Sequence, residues 1–202
     1  MRMGKSNIKQ LICLTLGTRP DLSYSVNKLA QYCGGSTERH WRGVKRVLRS
    51  LKNTINKMLI LGKVPRELDE EIPPYTICGY FDSAYMDDKR DRYSTMGYAF
   101  FCAGSLVSWS SKKQQTIALS TTGLAGTEAT KEAIWLQQFL KSIGMQKEHL
   151  YPARLYGDNQ GANTLAHNPE YHSKTKHTHG RQCCITEMVS NKPRLAKCWQ
   201  TH

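Results

Sequence analysis

Apolar residues recur at helical spacing up to about residue 53 and at strand spacing from about residue 75. Between them lies GKVPRELDEEIPP, residues 62–74, which is acidic, proline-bearing and without apolar periodicity. A core of one period cannot run through such a stretch. The sequence therefore predicts a helical part over 1–61, a linker over 62–74, a strand-rich domain over 75–190 and a tail over 191–202. A chain of 202 residues has room for one full domain and a partial second.

In the first part, Leu22, Val26, Leu29, Ala30 and Cys33 follow a Pro20-Asp21 start at helical spacing, and Gly34-Gly35 stops that helix. A second helix is predicted over 37–53. Trp41, Val44, Val47, Leu48 and Leu51 lie on one face, with Arg39, Arg42, Lys45, Arg46, Arg49 and Lys52 elsewhere. Residues 58–61 read as a short strand. In the second part, strands are predicted over 75–82, 94–102, 106–110, 115–119 and 154–158, the second and third forming a hairpin across Ala103-Gly104-Ser105. A long helix over 124–143 carries Ala129, Ala133, Leu136, Phe139 and Leu140 on one face and ends at Gly144. Shorter helices are expected over 160–166 and 184–189. This order is that of an α/β domain with one mixed sheet.

Lys and Arg total 29 against 16 Asp and Glu, a formal net charge of +13. A polyanionic partner suits that balance, because each neutralised phosphate releases counterions; a solvated basic surface is the alternative. No apolar run is long enough for a transmembrane helix, and the apolar patch after the first residues is too short and broken for a signal peptide, so an intracellular protein, cytoplasmic or nuclear, without a membrane partner is expected. The seven cysteines are odd in number and lack CxxC spacing, which suits reduced thiols.

Asp82 and Asp158 stand at the ends of two predicted strands. Strand ends on neighbouring sheet positions can converge on one metal site, and phosphodiester hydrolysis by two divalent ions needs several oxygen ligands. An aspartate capping a turn is the plainer explanation for either one. The surrounding words are more specific. GYFDSAYMDDKRDRYSTMGYAFFCAGSLVSWSSKKQQTIALSTT, KEAIWL and YGDNQGANTLAHNPEYHSKTKH closely resemble the ribonuclease H domain of copia-type retrotransposon Pol polyproteins. TRPDLSYSVNKLAQY and HWRGVKRVLRSLKNT resemble the end of the reverse transcriptase in the same polyproteins.

That resemblance implies a ribonuclease H-like α/β fold, a mixed five-stranded sheet flanked by helices, and Mg²⁺- or Mn²⁺-dependent cleavage of RNA in an RNA–DNA hybrid. It matches Asp82 to the family's first catalytic, metal-binding aspartate and Asp158, in GDNQ, to another. Lys112, Lys113, Asn159 and Lys176 are expected to contact nucleic acid. The remainder of a reverse transcriptase polyprotein is an implied partner. The polymerase palm with its aspartate motif is not among the matched segments, so DNA synthesis by this chain alone is not expected.

Two positions depart from the family. Where it reads ALSSTEAEY, with its second Glu on metal, this chain reads ALSTTGLAGTEATKEAIWL; three residues are missing and Gly123-Leu124 replaces the acidic segment. Glu128 and Glu132 come one and two turns later, at about 5.4 Å per turn, too far to substitute simply. Where the family reads KHIDIRYHFIRE, this chain has KHTHGRQCCITE, with His179 in place of an aspartate. A neutral nitrogen donor suits Mg²⁺ poorly. The expectation is a domain that keeps its fold and its affinity for nucleic acid but cleaves weakly or not at all.

Two other features invite chemistry. His172, His177, His179, Cys183 and Cys184 suggest zinc, against which stands the rarity of adjacent cysteines on one tetrahedral ion. Trp109 with Lys112 and Lys113 could meet a phosphate backbone; the plainer expectation puts Trp109 in the core and both lysines in solvent.

Overall fold

Two separate apolar clusters organise the chain, one among helices and one beneath a sheet. The computed structural model describes residues 5–62, 76–84, 93–114, 121–145 and 153–157, and these fall into two units.

The helical unit consists of α1 (Lys5–Gly17), a 3-10 turn (Pro20–Leu22), α2 (Ser23–Ala30) and α3 (Glu38–Asn53). Its core is Ile8, Leu11, Leu22, Val26, Val44 and Val47, with Leu29, Trp41 and Leu51 packed at the margin. Helix α3 begins where Thr37 leaves extended backbone, its N–H donating to His40 Nδ1 at 3.0 Å. That bond satisfies a donor the helix itself cannot. Helices α2 and α3 approach closely because Gly43 has no side chain: a Cβ there would lie 2.8 Å from Leu29 Cδ2. Beside α2, the buried Arg19 closes a fork on Asp21, Nε to Oδ1 at 2.9 Å and Nη2 to Oδ2 at 2.7 Å. Its Nη2 also reaches Thr54 Oγ1 at 2.7 Å, so one guanidinium ties the entry of α2 to the exit of α3.

Three expectations for this unit are corrected. Helix α1 was not foreseen; Ile8, Leu11 and Thr15 do repeat at helical spacing and are buried, but Leu14 and Leu16 are exposed and blur the pattern. Helix α2 ends at Ala30 rather than Cys33, because the chain tightens into i→i+3 bonds, Tyr32 N–H to Leu29 O at 3.1 Å and Cys33 N–H to Ala30 O at 3.2 Å. Residues 58–61 form no strand: Met58 and Ile60 are 80% and 61% exposed, and an apolar run without a neighbouring ladder has nothing to hold it extended.

In the sheet unit, β1 (Cys78–Ala84), β2 (Thr95–Cys102), β3 (Ser105–Lys113) and β4 (Arg154–Gly157) form one sheet in the order β3-β2-β1-β4. β1 runs antiparallel to β2 and parallel to β4, so the sheet is mixed and the α/β class is as expected. Four strands are present among the described residues; the fifth candidate, over 115–119, lies outside them, as do the linker over 63–74 and the helices over 160–166 and 184–189. The β2–β3 hairpin turns on Ala103 and Gly104 alone, at φ +50° and +73°, which is the handedness a two-residue hairpin needs. Ser105 therefore already belongs to β3.

Helix α4 (Thr121–Ser142) starts three residues before its expected position and packs Ala125, Ala129, Ala133, Leu136 and Leu140 against the sheet. The alanines let helix and sheet approach closely over Phe81, Phe100 and Leu155. Large and small side chains alternate across this face. Gly79 lies between its ladder partners Phe100 and Leu155, and Phe81 between Tyr98 and Gly157. A Cβ at Gly79 would lie 2.3 Å from Phe100 Cε1 and 2.7 Å from Leu155 Cδ2, so only glycine admits both neighbours.

Candidate nucleic-acid and metal site

Alternation along β1 decides where its aspartate goes. Gly79 and Phe81 face α4, so Tyr80 and Asp82 occupy the other side of the sheet. There Asp82 is exposed, its ladder partner on β2 is Gly97, and its Oδ1 accepts the Ser83 N–H at 2.5 Å. The absence of a side chain at Gly97 leaves the carboxylate open on that flank.

Across β1, the parallel ladder runs Cys78 to Arg154, Gly79 to Leu155, Tyr80 to Tyr156 and Phe81 to Gly157. Asp82 follows Phe81 in sequence and Asp158 follows Gly157. Asp158 itself lies outside the described residues, as do Asn159, Lys176 and the His/Cys cluster of 172–184. On the Asp82 side of the sheet the Tyr80 and Tyr156 rings stack at 5.1 Å between centroids, and Phe101 meets Tyr80 edge-on at 5.8 Å. This aromatic row was missed by sequence reasoning, and only the pairing of β1 with the distant β4 reveals it.

The lysines sit elsewhere on the sheet. Lys112 is exposed on β3, separated from β1 by β2. Lys113 departs from the expectation of a free solvent charge: its Nζ lies 5.4 Å from the centre of the Tyr93 ring, because a half-buried ammonium gains from the ring's negative face. Trp109 is half-buried rather than a core residue, since a strand at the end of the described sheet order has less to cover it.

Neither glutamate of α4 completes a site with Asp82. Glu128 Oε1 accepts from Lys131 Nζ at 2.5 Å, and Glu132 Oε1 accepts from Ser108 Oγ on β3 at 2.6 Å. Both belong to the helix on the far side of the sheet from Asp82. Among the described residues no group of three His, Cys, Asp or Glu could hold a metal ion. A pair of divalent ions needs more oxygen donors than that set offers, so the described residues alone do not fit a two-metal centre.

Among the described residues, no helix is long and apolar enough to cross a membrane. No protein-family model matches the chain. Among characterised proteins, it is 36% identical over 191 residues to the retrovirus-related Pol polyprotein from transposon TNT 1-94 of Nicotiana tabacum, a match that covers 93% of this chain and 13% of that protein. It is 38% identical over 165 residues to the corresponding polyprotein from transposon RE2 of Arabidopsis thaliana, covering 79% of this chain and 10% of that one. The chain thus spans about an eighth or less of these relatives' length. It is also 38% identical over 134 residues to secreted RxLR effector protein 161 of Plasmopara viticola, covering 65% of this chain and 89% of that protein. Of solved structures, RNase H1 from Halobacterium salinarum aligns with 59% of this chain and 86% of its own at 16% identity and a TM-score of 0.36. Moderate identity sustained over nearly the whole length is the signature of common descent: the chain belongs to the Pol polyproteins of copia-type retrotransposons.

Proposed function

We propose that the sheet unit is a ribonuclease H-like domain that recognises RNA–DNA hybrids and whose metal-dependent cleavage of the RNA strand is crippled by the loss of two carboxylates. The observation that carries this reading is the parallel pairing of Phe81 with Gly157, the residues immediately before Asp82 and Asp158. Carboxylates supplied by neighbouring strands are the kind of oxygen ligand that a divalent ion held against a phosphate needs. In this reading Asp82 and Asp158 are the remaining ligands for Mg²⁺ or Mn²⁺, and Lys112, Lys113, Asn159 and Lys176 meet the hybrid's backbone.

The loss of activity rests on α4. Gly123-Leu124 stands in place of the acidic segment whose second Glu binds metal in the family, and Glu128 and Glu132 are engaged with Lys131 and Ser108. With His179 in place of the last aspartate, too little negative charge remains for two ions. The helical unit, by the same kinship, comes from the end of a reverse transcriptase, with the rest of that polyprotein as its natural partner.

Incubating the full chain with a labelled RNA–DNA hybrid and Mg²⁺ or Mn²⁺ tests this. Hybrid binding with little or no turnover is expected. Robust cleavage that Asp82→Asn abolishes would overturn the crippled state, and cleavage indifferent to that change would overturn the site.

A further inference from the structure

Most of the chain's positive charge lies within its first sixty residues. Within residues 1–60 there are twelve Lys and Arg but only two Asp and Glu, a net of +10 out of the chain's +13. One of the two acids, Asp21, is bound by Arg19, and the other, Glu38, sits in the first turn of α3, where it complements the helix dipole. What remains is a basic surface, and α3 orders it.

Arg39, Arg42, Arg46 and Arg49 repeat at intervals of three, four and three residues. On an α-helix that spacing draws one nearly straight stripe, about 15 Å long at 1.5 Å per residue. All four are exposed, and Lys45 and Lys52, also exposed, run alongside. None of the four arginines makes an ion pair among the described residues. The stripe lies on the side of α3 away from Val44 and Val47, which are 0% and 7% exposed in the helical core.

We infer that this arginine stripe is a binding surface for the phosphate backbone of an RNA–DNA hybrid duplex. Like charges in a row on one helix repel one another and persist only at a cost that an opposing polyanion removes. Arginine's planar fork matches phosphate oxygens better than a point charge does, and four of the six cations are arginine. An anionic membrane is the other polyanion a basic helix can meet. A helix that lies on a membrane inserts its apolar face, however, and on α3 Val44 and Val47 are buried in the unit's own core with Trp41 and Leu51 packed against it, leaving Leu48, 41% exposed, to offer a bilayer. The inference shares its partner with the proposed function but places the contact on a different unit, so the two fail separately.

The test measures binding of a fluorescent RNA–DNA hybrid to the full chain, in EDTA to prevent turnover, over a range of salt. Arg46→Gln/Arg49→Gln should weaken binding about tenfold at moderate salt and reduce the slope of log affinity against log salt by about two. Two control variants separate the stripe from general charge and from folding. Lys9→Gln/Lys57→Gln removes the same charge from exposed positions off α3 and should change the slope much less; Arg46→Lys/Arg49→Lys should recover most of the slope. Equal losses from the arginine and lysine pairs would overturn the proposal in favour of unspecific charge. Unchanged hybrid binding in the arginine variant would overturn it outright. So would binding of phosphatidylserine vesicles that depends on Arg46 and Arg49 while the hybrid does not.

Discussion

Phe81 on β1 is the ladder partner of Gly157 on β4, and a Cβ at Gly157 would lie 2.6 Å from Phe81 Cζ. The ring is 6% exposed and packed within the core, so it has little room to yield. Gly157→Ala is therefore expected to lower stability by about 1 to 3 kcal/mol through overpacking. The companion change Phe81→Leu should restore part of that loss. Urea unfolding of the single and double variants measures it, and additive losses would show that the two residues do not meet as described.

The fork between Arg19 and Asp21 gives a pH dependence. Its hydrogen bonds to the guanidinium hold the Asp21 carboxyl below the usual carboxylate range. Between that lowered value and the ordinary one the unfolded chain binds more protons than the folded chain, so stability rises with pH across the window. The contribution is complete above the ordinary value, near about 4, and disappears as pH falls through the folded value. Asp21→Asn should flatten this acid limb and cost about 1 to 2 kcal/mol at neutral pH, because Arg19 stays buried without its carboxylate. Matching acid limbs in wild type and variant, followed by circular dichroism of the helices, would remove the claim.

Burial separates the thiols. Cys78 is 5% exposed and burial pushes its thiol up, as it does that of Cys102, whereas Cys13 lies exposed on α1. Iodoacetamide should modify Cys13 at least about tenfold faster than Cys78 in the folded protein, since the attacking species is an accessible thiolate. Mass spectrometry of timed digests reads the two rates, and in denaturant they should converge.

If the missing carboxylates are what limits catalysis, returning them should restore it. Restoring the family's EAEY segment at Gly123-Leu124 together with His179→Asp is expected to raise hybrid cleavage by at least about tenfold over the parent chain, in a manner that needs Mg²⁺ and is lost when Asp82→Asn is added. No gain, with hybrid binding intact, would mean that the helix start is displaced and that charge alone was not the deficiency.

Local signals carried much of the fold. The start of α3 was legible because Thr37 can cap it and its apolar residues keep one period through Leu51. The hairpin was legible because Ala103-Gly104 offers the backbone a tight turn between two apolar runs. The alanine and leucine face of α4 likewise matched the core. Residues 58–61 misled for the converse reason: their composition is that of a strand, but composition supplies no neighbouring ladder. Helix α1 was overlooked because its half-exposed apolar residues obscure the buried set at Ile8, Leu11 and Thr15.

By itself, the sequence determined the kinship of the chain, its α/β class, the identity of its remaining acids and the replacement of others, because these are properties of residue type and local period. Only the tertiary structure decided which strand lies beside which. With that came the pairing of Phe81 and Gly157, the face on which Asp82 stands and the stacked tyrosines beside it. It also decided that Arg19 is buried while the arginines of α3 remain in solvent. These depend on contacts between residues far apart in the chain, whose free energy comes from burial and register, and no local pattern of side chains encodes them.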